Sequence, residues 1–194
     1  MKVSTQRRLR RIDRMIVAVM ISDLNQIIRL RNYCSCAVLM LCALACVALP
    51  PANALADRIV VVKSARTLTL FRQGRVLKIY KVALGAQPVG PKTRQGDGKT
   101  PEGVYKISAR NEHSQFHRSL RISYPNQADR QRARKLGVNP GSDIFIHGLP
   151  PQWAWLGAAH RQKGWTLGCI AVTNSEMDEI WASVPLGTPV EILP

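Results

Sequence analysis

Ile59-Val-Val-Val-Lys-Ser-Ala-Arg-Thr-Leu-Thr-Leu-Phe-Arg-Gln-Gly-Arg-Val-Leu-Lys-Ile-Tyr-Lys-Val82 decides the fold class. Ile59 to Val62 is a β-branched run, the composition of a strand. Leu68 and Leu70 alternate with Thr67 and Thr69, a period of two that predicts a second strand with one apolar face. Arg72-Gln-Gly74 supplies a turn, and Val76 to Val82 returns as a partner strand, so a hairpin is expected. Leu84-Gly85-Ala86 breaks the pattern, and a long polar loop runs to Gly98. Val104 to Ile107, Leu120 to Ile122 and Pro189 to Leu193 read as further short strands.

Helical signals are few. Ala128 to Leu136 is rich in helix formers and stops at Gly137, a residue suited to a C-cap. Thr173-Asn-Ser-Glu176 fits a capping box ahead of Met177 to Val184, which Pro185 and Gly187 close. There is no internal repeat, linker or low-complexity stretch. A mainly β domain with one or two short helices is expected over residues 57–194.

Residues 1–56 have a different character. A basic stretch (Lys2, Arg7, Arg8, Arg10, Arg11, Arg14, Arg29, Arg31) precedes an apolar run from Ala37 to Leu49. Pro50, Pro51 and then Ala54-Leu55-Ala56 follow, ahead of Asp57. Basic region, apolar core and small-residue site in that order are those of a secretory signal peptide, with cleavage after Ala56. An uncleaved N-terminal membrane anchor is the rival, although the apolar run is short beside the roughly 20 residues of a membrane span. Export places the domain in the periplasm or cell envelope, with membrane association possible through residues 1–56.

The chain carries 28 Lys and Arg against 12 Asp and Glu, a net charge of +16. Eight of the basic and two of the acidic residues fall within the first 56, so residues 57–194 keep about +10. Such a charge attracts anionic partners over long range. Outside the cytoplasm the partner is not nucleic acid; an anionic wall polymer or membrane surface fits the compartment. Arg130-Gln-Arg132-Ala-Arg134-Lys135 is the densest basic cluster and reads first as a solvated helix face.

Four of the five cysteines, Cys34, Cys36, Cys42 and Cys46, lie in the leader, where they behave as small apolar residues. Neither they nor any histidine show metal-ligand spacing, and no metal or other cofactor is expected. Cys169 is then alone in an exported domain and has no internal disulfide partner. It is either a core residue or a nucleophile. Its segment reads Gly164-Trp-Thr166-Leu-Gly168-Cys169-Ile-Ala-Val-Thr-Asn174, and upstream stands Asp143-Ile-Phe-Ile-His147-Gly148. An imidazole can take the thiol proton, and a glycine turn at the nucleophile can aim backbone N–H groups at an oxyanion. A histidine at a strand end and a cysteine followed by Ile-Ala-Val are also what a plain core would show.

At these residues the sequence resembles the L,D-transpeptidase catalytic domain, the YkuD-type family of bacterial cell-wall enzymes. His147-Gly148 matches the first half of the family pattern, and Thr166, Gly168 and Cys169 match the second. Asn174 fits a position where the family often has asparagine. Gly96-Asp-Gly-Lys-Thr100-Pro101-Glu102-Gly103-Val-Tyr, Ile59 to Ser64 and Val82-Ala-Leu-Gly85 look similar too, so the likeness spans nearly all of 57–194. It implies an L,D-transpeptidase-like β-sandwich or barrel. It implies Cys169 as nucleophile, His147 as general base, the Gly148 carbonyl orienting the imidazole, and the N–H groups of Gly168 and Cys169 as oxyanion hole. Thr166, Leu167 and Asn174 would contact substrate. The implied donor is a peptidoglycan stem peptide, whose diamino-acid carbonyl is attacked with loss of the terminal D-alanine. The acyl group then passes to an amine or to water, and carbapenems acylate such cysteines. The chain departs from the pattern twice: Leu167 replaces the family histidine, and Ala171 stands where arginine or asparagine is common. Trp153, Trp155 and Trp165 in the spacer either reshape the cleft or pack as a lid. A wall-binding module that kept the fold without the chemistry is the rival of another class.

Overall fold

The computed structural model describes residues 55–194. The leader assigned to residues 1–56 lies outside the described residues except at its end. Ala56 is buried in the core, and its N–H donates to the Ser183 carbonyl at 2.8 Å.

Eight strands form one sheet. They are β1 (Arg58–Val62), β2 (Thr67–Arg72), β3 (Arg75–Lys81), β4 (Gly103–Ser114), β5 (His117–Ile122), β6 (Phe145–His147), β7 (Ile170–Ala171) and β8 (Pro189–Leu193). Their order is β3-β2-β1-β8-β4-β5-β6-β7. The expected hairpin is β2–β3, antiparallel, with a register shift between Leu70 and Phe71. Gln73 and Gly74 both take positive φ in its turn. The C-terminal strand β8 inserts between β1, with which it runs parallel, and β4, with which it is antiparallel. The segment leaving β3 crosses to the far edge, where Ala83 bridges Ala171 and Gly85 bridges Thr166. The sheet edges are thereby brought together, as the expected sandwich or barrel requires.

Two short α-helices complete the fold. Helix α1 (Gln127–Lys135) is capped by a reciprocal Asn126–Asp129 box and ends at Leu136, with Gly137 at φ +64°. Helix α2 (Asn174–Ser183) carries the expected Thr173–Glu176 capping box, with both bonds formed. It packs against β5 and β6, burying Met177 and Ile180. The apolar faces of β1, β2, β5 and β8 supply Ile59, Val61, Leu68, Leu70, Leu120, Ile122, Val190 and Ile192 to the core. Alternation in the strands predicts these positions, because successive side chains point to opposite faces. A 3-10 segment, Pro151–Gln162, has no counterpart in the sequence reading; it is kinked at Gly157. Strands β4 and β5 are longer than expected and bulged.

Candidate active site

His147 closes β6 and Cys169 immediately precedes β7. These two strands run parallel, with Ile146 opposite Ile170 and His147 opposite Ala171. Strand pairing therefore carries both residues of the sequence motif to one edge of the sheet. Their side chains line the same cleft, a cavity of about 1170 Å³.

The imidazole is fixed on one side. His147 Nδ1 lies 2.7 Å from the Gly148 carbonyl oxygen. A carbonyl accepts only, so Nδ1 carries the hydrogen and Nε2 keeps its lone pair. His147 is buried, and desolvation lowers its pKa from 6.5 to about 4, against the opposing pull of the Gly148 bond. The ring is neutral at neutral pH. Burial also pushes the Cys169 thiol up, and the negative charge of Asp143 adds to that, while the Phe145 N–H and the Lys92 ammonium oppose it. The Phe145 N–H reaches Sγ at 3.4 Å. At rest the pair is thus a neutral thiol and a neutral base, not a preformed thiolate and imidazolium.

The turn before Cys169 is held from inside. Gly168 has φ +129°, and a Cβ there would lie 2.5 Å from the Lys99 carbonyl oxygen. Only glycine fits both constraints. Thr166 Oγ1 donates to the Cys169 carbonyl at 2.7 Å and accepts the Gly168 N–H at 3.1 Å. The expected two-donor oxyanion hole is therefore reduced, because the Gly168 N–H is already engaged. Among the described residues the Cys169 N–H has no such partner. Thr166 is buried and braces the turn, whereas Leu167 stands 81% exposed at the cleft rim.

Asn174, expected at the substrate, is placed elsewhere. It opens α2, and its Oδ1 accepts the Leu149 N–H at 2.6 Å. A Cβ on Gly148 would come within 2.6 Å of that same oxygen. Asn174 therefore clamps the His147-Gly148-Leu149 backbone, and its side chain is not part of the cleft wall.

Phe116 is a residue of the site that the sequence does not single out, whereas Trp153, Trp155 and Trp165 are the spacer tryptophans expected to reshape the cleft or pack as a lid. Phe116 stacks 4.6 Å from the His147 ring, and Trp165 meets it edge-on at 5.8 Å. Trp153 packs on Trp165 at 5.1 Å, and both line the cleft. Trp155 is exposed and donates to the Gln152 carbonyl. Beneath this wall His160 is buried, with its Nδ1 3.4 Å from Trp165 Nε1. His117 pairs with Asp178 at 2.7 Å, and the Tyr124 hydroxyl donates to the Pro140 carbonyl, so both are tied into the scaffold.

The polar loop after β3 backs the turn before Cys169, with the Lys99 carbonyl against Gly168. Lys92 Nζ meets Asp97 at 2.7 Å, both nearly buried. Asp97 also accepts the N–H groups of Thr93, Arg94 and Lys99. Burial alone would raise the Asp97 pKa, but Lys92 and these three donors hold it down at about 2. Lys63 reaches in from the end of β1 to the Gly90 and Thr100 carbonyls and to Glu102 at 2.8 Å. The glycines of this loop matter for contact: a Cβ on Gly85 would lie 2.1 Å from the Gly98 oxygen. Among the described residues no group of three or more His, Cys, Asp or Glu is placed to hold a metal ion.

Residues 56–192 match the L,D-transpeptidase catalytic domain. The chain belongs to that family. The Escherichia coli K12 protein named "Putative L,D-transpeptidase YafK" is 33% identical over 129 residues, covering 63% of this chain and 44% of the relative. The chain thus spans less than half the length of that curated relative. Among solved structures, the helical cell shape determining protein Pgp2 of Campylobacter jejuni superposes with a TM-score of 0.53 at 22% identity, covering 74% of this chain and 52% of that one. Bd1075 of Bdellovibrio bacteriovorus gives 0.51 at 25% identity, covering 75% and 53%. These likenesses agree on the fold of this L,D-transpeptidase-family domain.

Proposed function

We propose that this L,D-transpeptidase-family domain is an exported cysteine acyltransferase that acts on peptidoglycan stem peptides. The observation that carries the reading is the 2.7 Å bond from His147 Nδ1 to the Gly148 carbonyl. It commits the ring to the tautomer whose Nε2 is a base, within a cleft that also holds the chain's sole non-leader thiol.

The chemistry follows from those groups. Nε2 removes the thiol proton as Sγ bonds to the stem-peptide carbonyl carbon. The Cys169 N–H stabilises the oxyanion. The imidazolium returns its proton to the amine of the terminal amino acid as the C–N bond breaks, leaving a thioester. An acceptor amine then attacks the thioester, gives its proton to Nε2, and the proton passes to the departing sulfur. Residues 1–56 direct export and are either removed or retained as an anchor, and the product is a cross-link in the cell envelope.

Intact-protein mass spectrometry with a carbapenem tests the nucleophile. An adduct on the wild type that is lost in Cys169→Ala is expected; murein binding with no adduct would favour the wall-binding module. Tetrapeptide muropeptides test the acceptor. New dimers are expected, whereas shortened monomers alone would assign a carboxypeptidase or amidase. His147→Ala should slow turnover by roughly 10²–10⁴.

A further inference from the structure

We propose that Arg121 and Asp143 form a subsite for a zwitterionic α-amino-acid head group carried on the side chain of the acyl donor. The inference rests on the acyl-transfer reading for the identity of the donor, but not for the site itself. Strand geometry places the subsite. On β5, Ser119 lies opposite His147 and Arg121 opposite Phe145. Residues two apart in a strand face the same side, about 7 Å from each other. Ser119, His147 and Phe145 line the cleft, so Arg121 stands one step further along the same face. Asp143 lines this cleft and also a neighbouring hollow of about 470 Å³ whose wall includes Arg121, Ser108 and Ser123. The two spaces share Asp143, and Arg121 faces it from the wall of the hollow.

The pair is open. Arg121 Nη1 and Asp143 Oδ1 are 3.5 Å apart, with side chains 42% and 49% exposed. An exposed pair at that distance adds little stability. The guanidinium is nevertheless aimed, because its Nε donates to Ser108 Oγ at 3.1 Å, and that hydroxyl donates back to the Arg121 carbonyl at 3.2 Å. Among the described residues Nη2 makes no hydrogen bond. The other cation of the hollow, Arg130, is turned to the Pro125 carbonyl.

A carboxylate alone would satisfy Arg121 and meet the repulsion of Asp143. An ammonium alone would do the reverse. A head group with both charges on one carbon answers both partners, with the carboxylate on the guanidinium fork and the ammonium on Asp143. Occupancy also helps the chemistry in a small way: burial is the main cause of the raised Cys169 thiol, and an ammonium there offsets the lesser contribution of the Asp143 charge.

Calorimetry on the Cys169→Ala protein tests the subsite without turnover. Three stem peptides are compared, alike except at the diamino residue: 2,6-diaminopimelate, its side-chain amide, and lysine. The diaminopimelate peptide should bind about tenfold tighter than the other two. Adding Arg121→Gln should abolish that advantage, and Asp143→Asn should weaken all three peptides together, since each keeps the side-chain ammonium. Equal affinities, no binding by any peptide, or a preference that survives Arg121→Gln in a folded protein overturns the subsite. The same peptides offered to the protein with Cys169 intact separate the two readings. Selective binding without turnover would remove acyl transfer and keep the subsite, and turnover without selectivity would do the opposite.

Discussion

Asn174 Oδ1 sits 2.6 Å from the Leu149 nitrogen and occupies the space that a Gly148 side chain would need. The first residue of α2 thus sets the backbone that orients the His147 imidazole. The Gly148 carbonyl can hold His147 Nδ1 only while that peptide stays in place.

Asn174→Ala removes the acceptor and leaves the buried Leu149 N–H unpaired, at a cost of about 1–3 kcal/mol. Turnover should fall about tenfold or more through kcat, with KM little changed, since the side chain does not line the cleft. Asn174→Asp keeps an acceptor and should recover most of the rate. Steady-state kinetics of the two variants is the measurement. A change confined to KM would assign Asn174 to substrate instead.

The pH profile should reflect a neutral resting pair. With the His147 pKa lowered to about 4, the base is available well below the usual histidine range. The rate of carbapenem acylation should be level from about pH 5 to 7 and decline only toward pH 4. An acidic limb near 6.5 would show a solvated imidazole instead.

Acid should destabilise the fold in the same window. His147 and His160 are both lowered to about 4, each chiefly by burial. Between the unfolded value near 6.5 and about 4 the unfolded chain binds protons that the native one refuses, so stability is full above 6.5 and falls as the pH drops. For His147 the loss reaches on the order of 3 kcal/mol at pH 4. Thermal melts between pH 7 and 4 should show the decline, and His160→Phe should make it shallower.

The Lys92–Asp97 pair should be strongly asymmetric under mutation. Lys92→Met strands a buried carboxylate and should cost about 3–5 kcal/mol, whereas Lys92→Met with Asp97→Leu should cost less than the single changes summed. Denaturant midpoints of the four proteins give the cycle. Because Lys99, in the same loop, backs Gly168, Lys92→Met should also slow acylation.

Gly168→Ala tests that backing directly. Its Cβ would meet the Lys99 oxygen at 2.5 Å from a backbone at φ +129°. The loop or the nucleophile turn must move, so acylation should fall at least as far as in Asn174→Ala even where the protein stays folded. A wild-type acylation rate would disprove the close contact.

Much of the architecture was legible in local pattern. The alternation of Leu68 and Leu70 with threonines marked a strand with a buried face, and Thr173 with Glu176 marked the start of α2. Both depend on residues a few positions apart, and the physics that reads them is local. The pair His147 and Cys169 was also visible, as residue types in short motifs. Less was visible between them. The segment Pro151–Gln162 has no apolar period of its own, and Trp153 gains its meaning only from packing on Trp165, which in turn meets His147. Asn174 reads from the motif as a substrate contact, whereas in the fold its amide oxygen serves the backbone 25 residues upstream. The N–H of Gly168 is spent on a hydroxyl that no motif identifies as its partner.

Periodicity, capping and residue type are properties of short stretches, so local sequence marks the β2–β3 hairpin, the two α-helices and the two side chains capable of nucleophilic chemistry, but neither β7 nor the 3-10 segment Pro151–Gln162. The folded arrangement alone sets β6 and β7 side by side, braces the turn before Cys169 with the loop after β3, and leaves His147 and Cys169 neutral by burial. Contacts between residues distant in the chain and removal from water arise only when the sheet closes, so no stretch of sequence carries them alone.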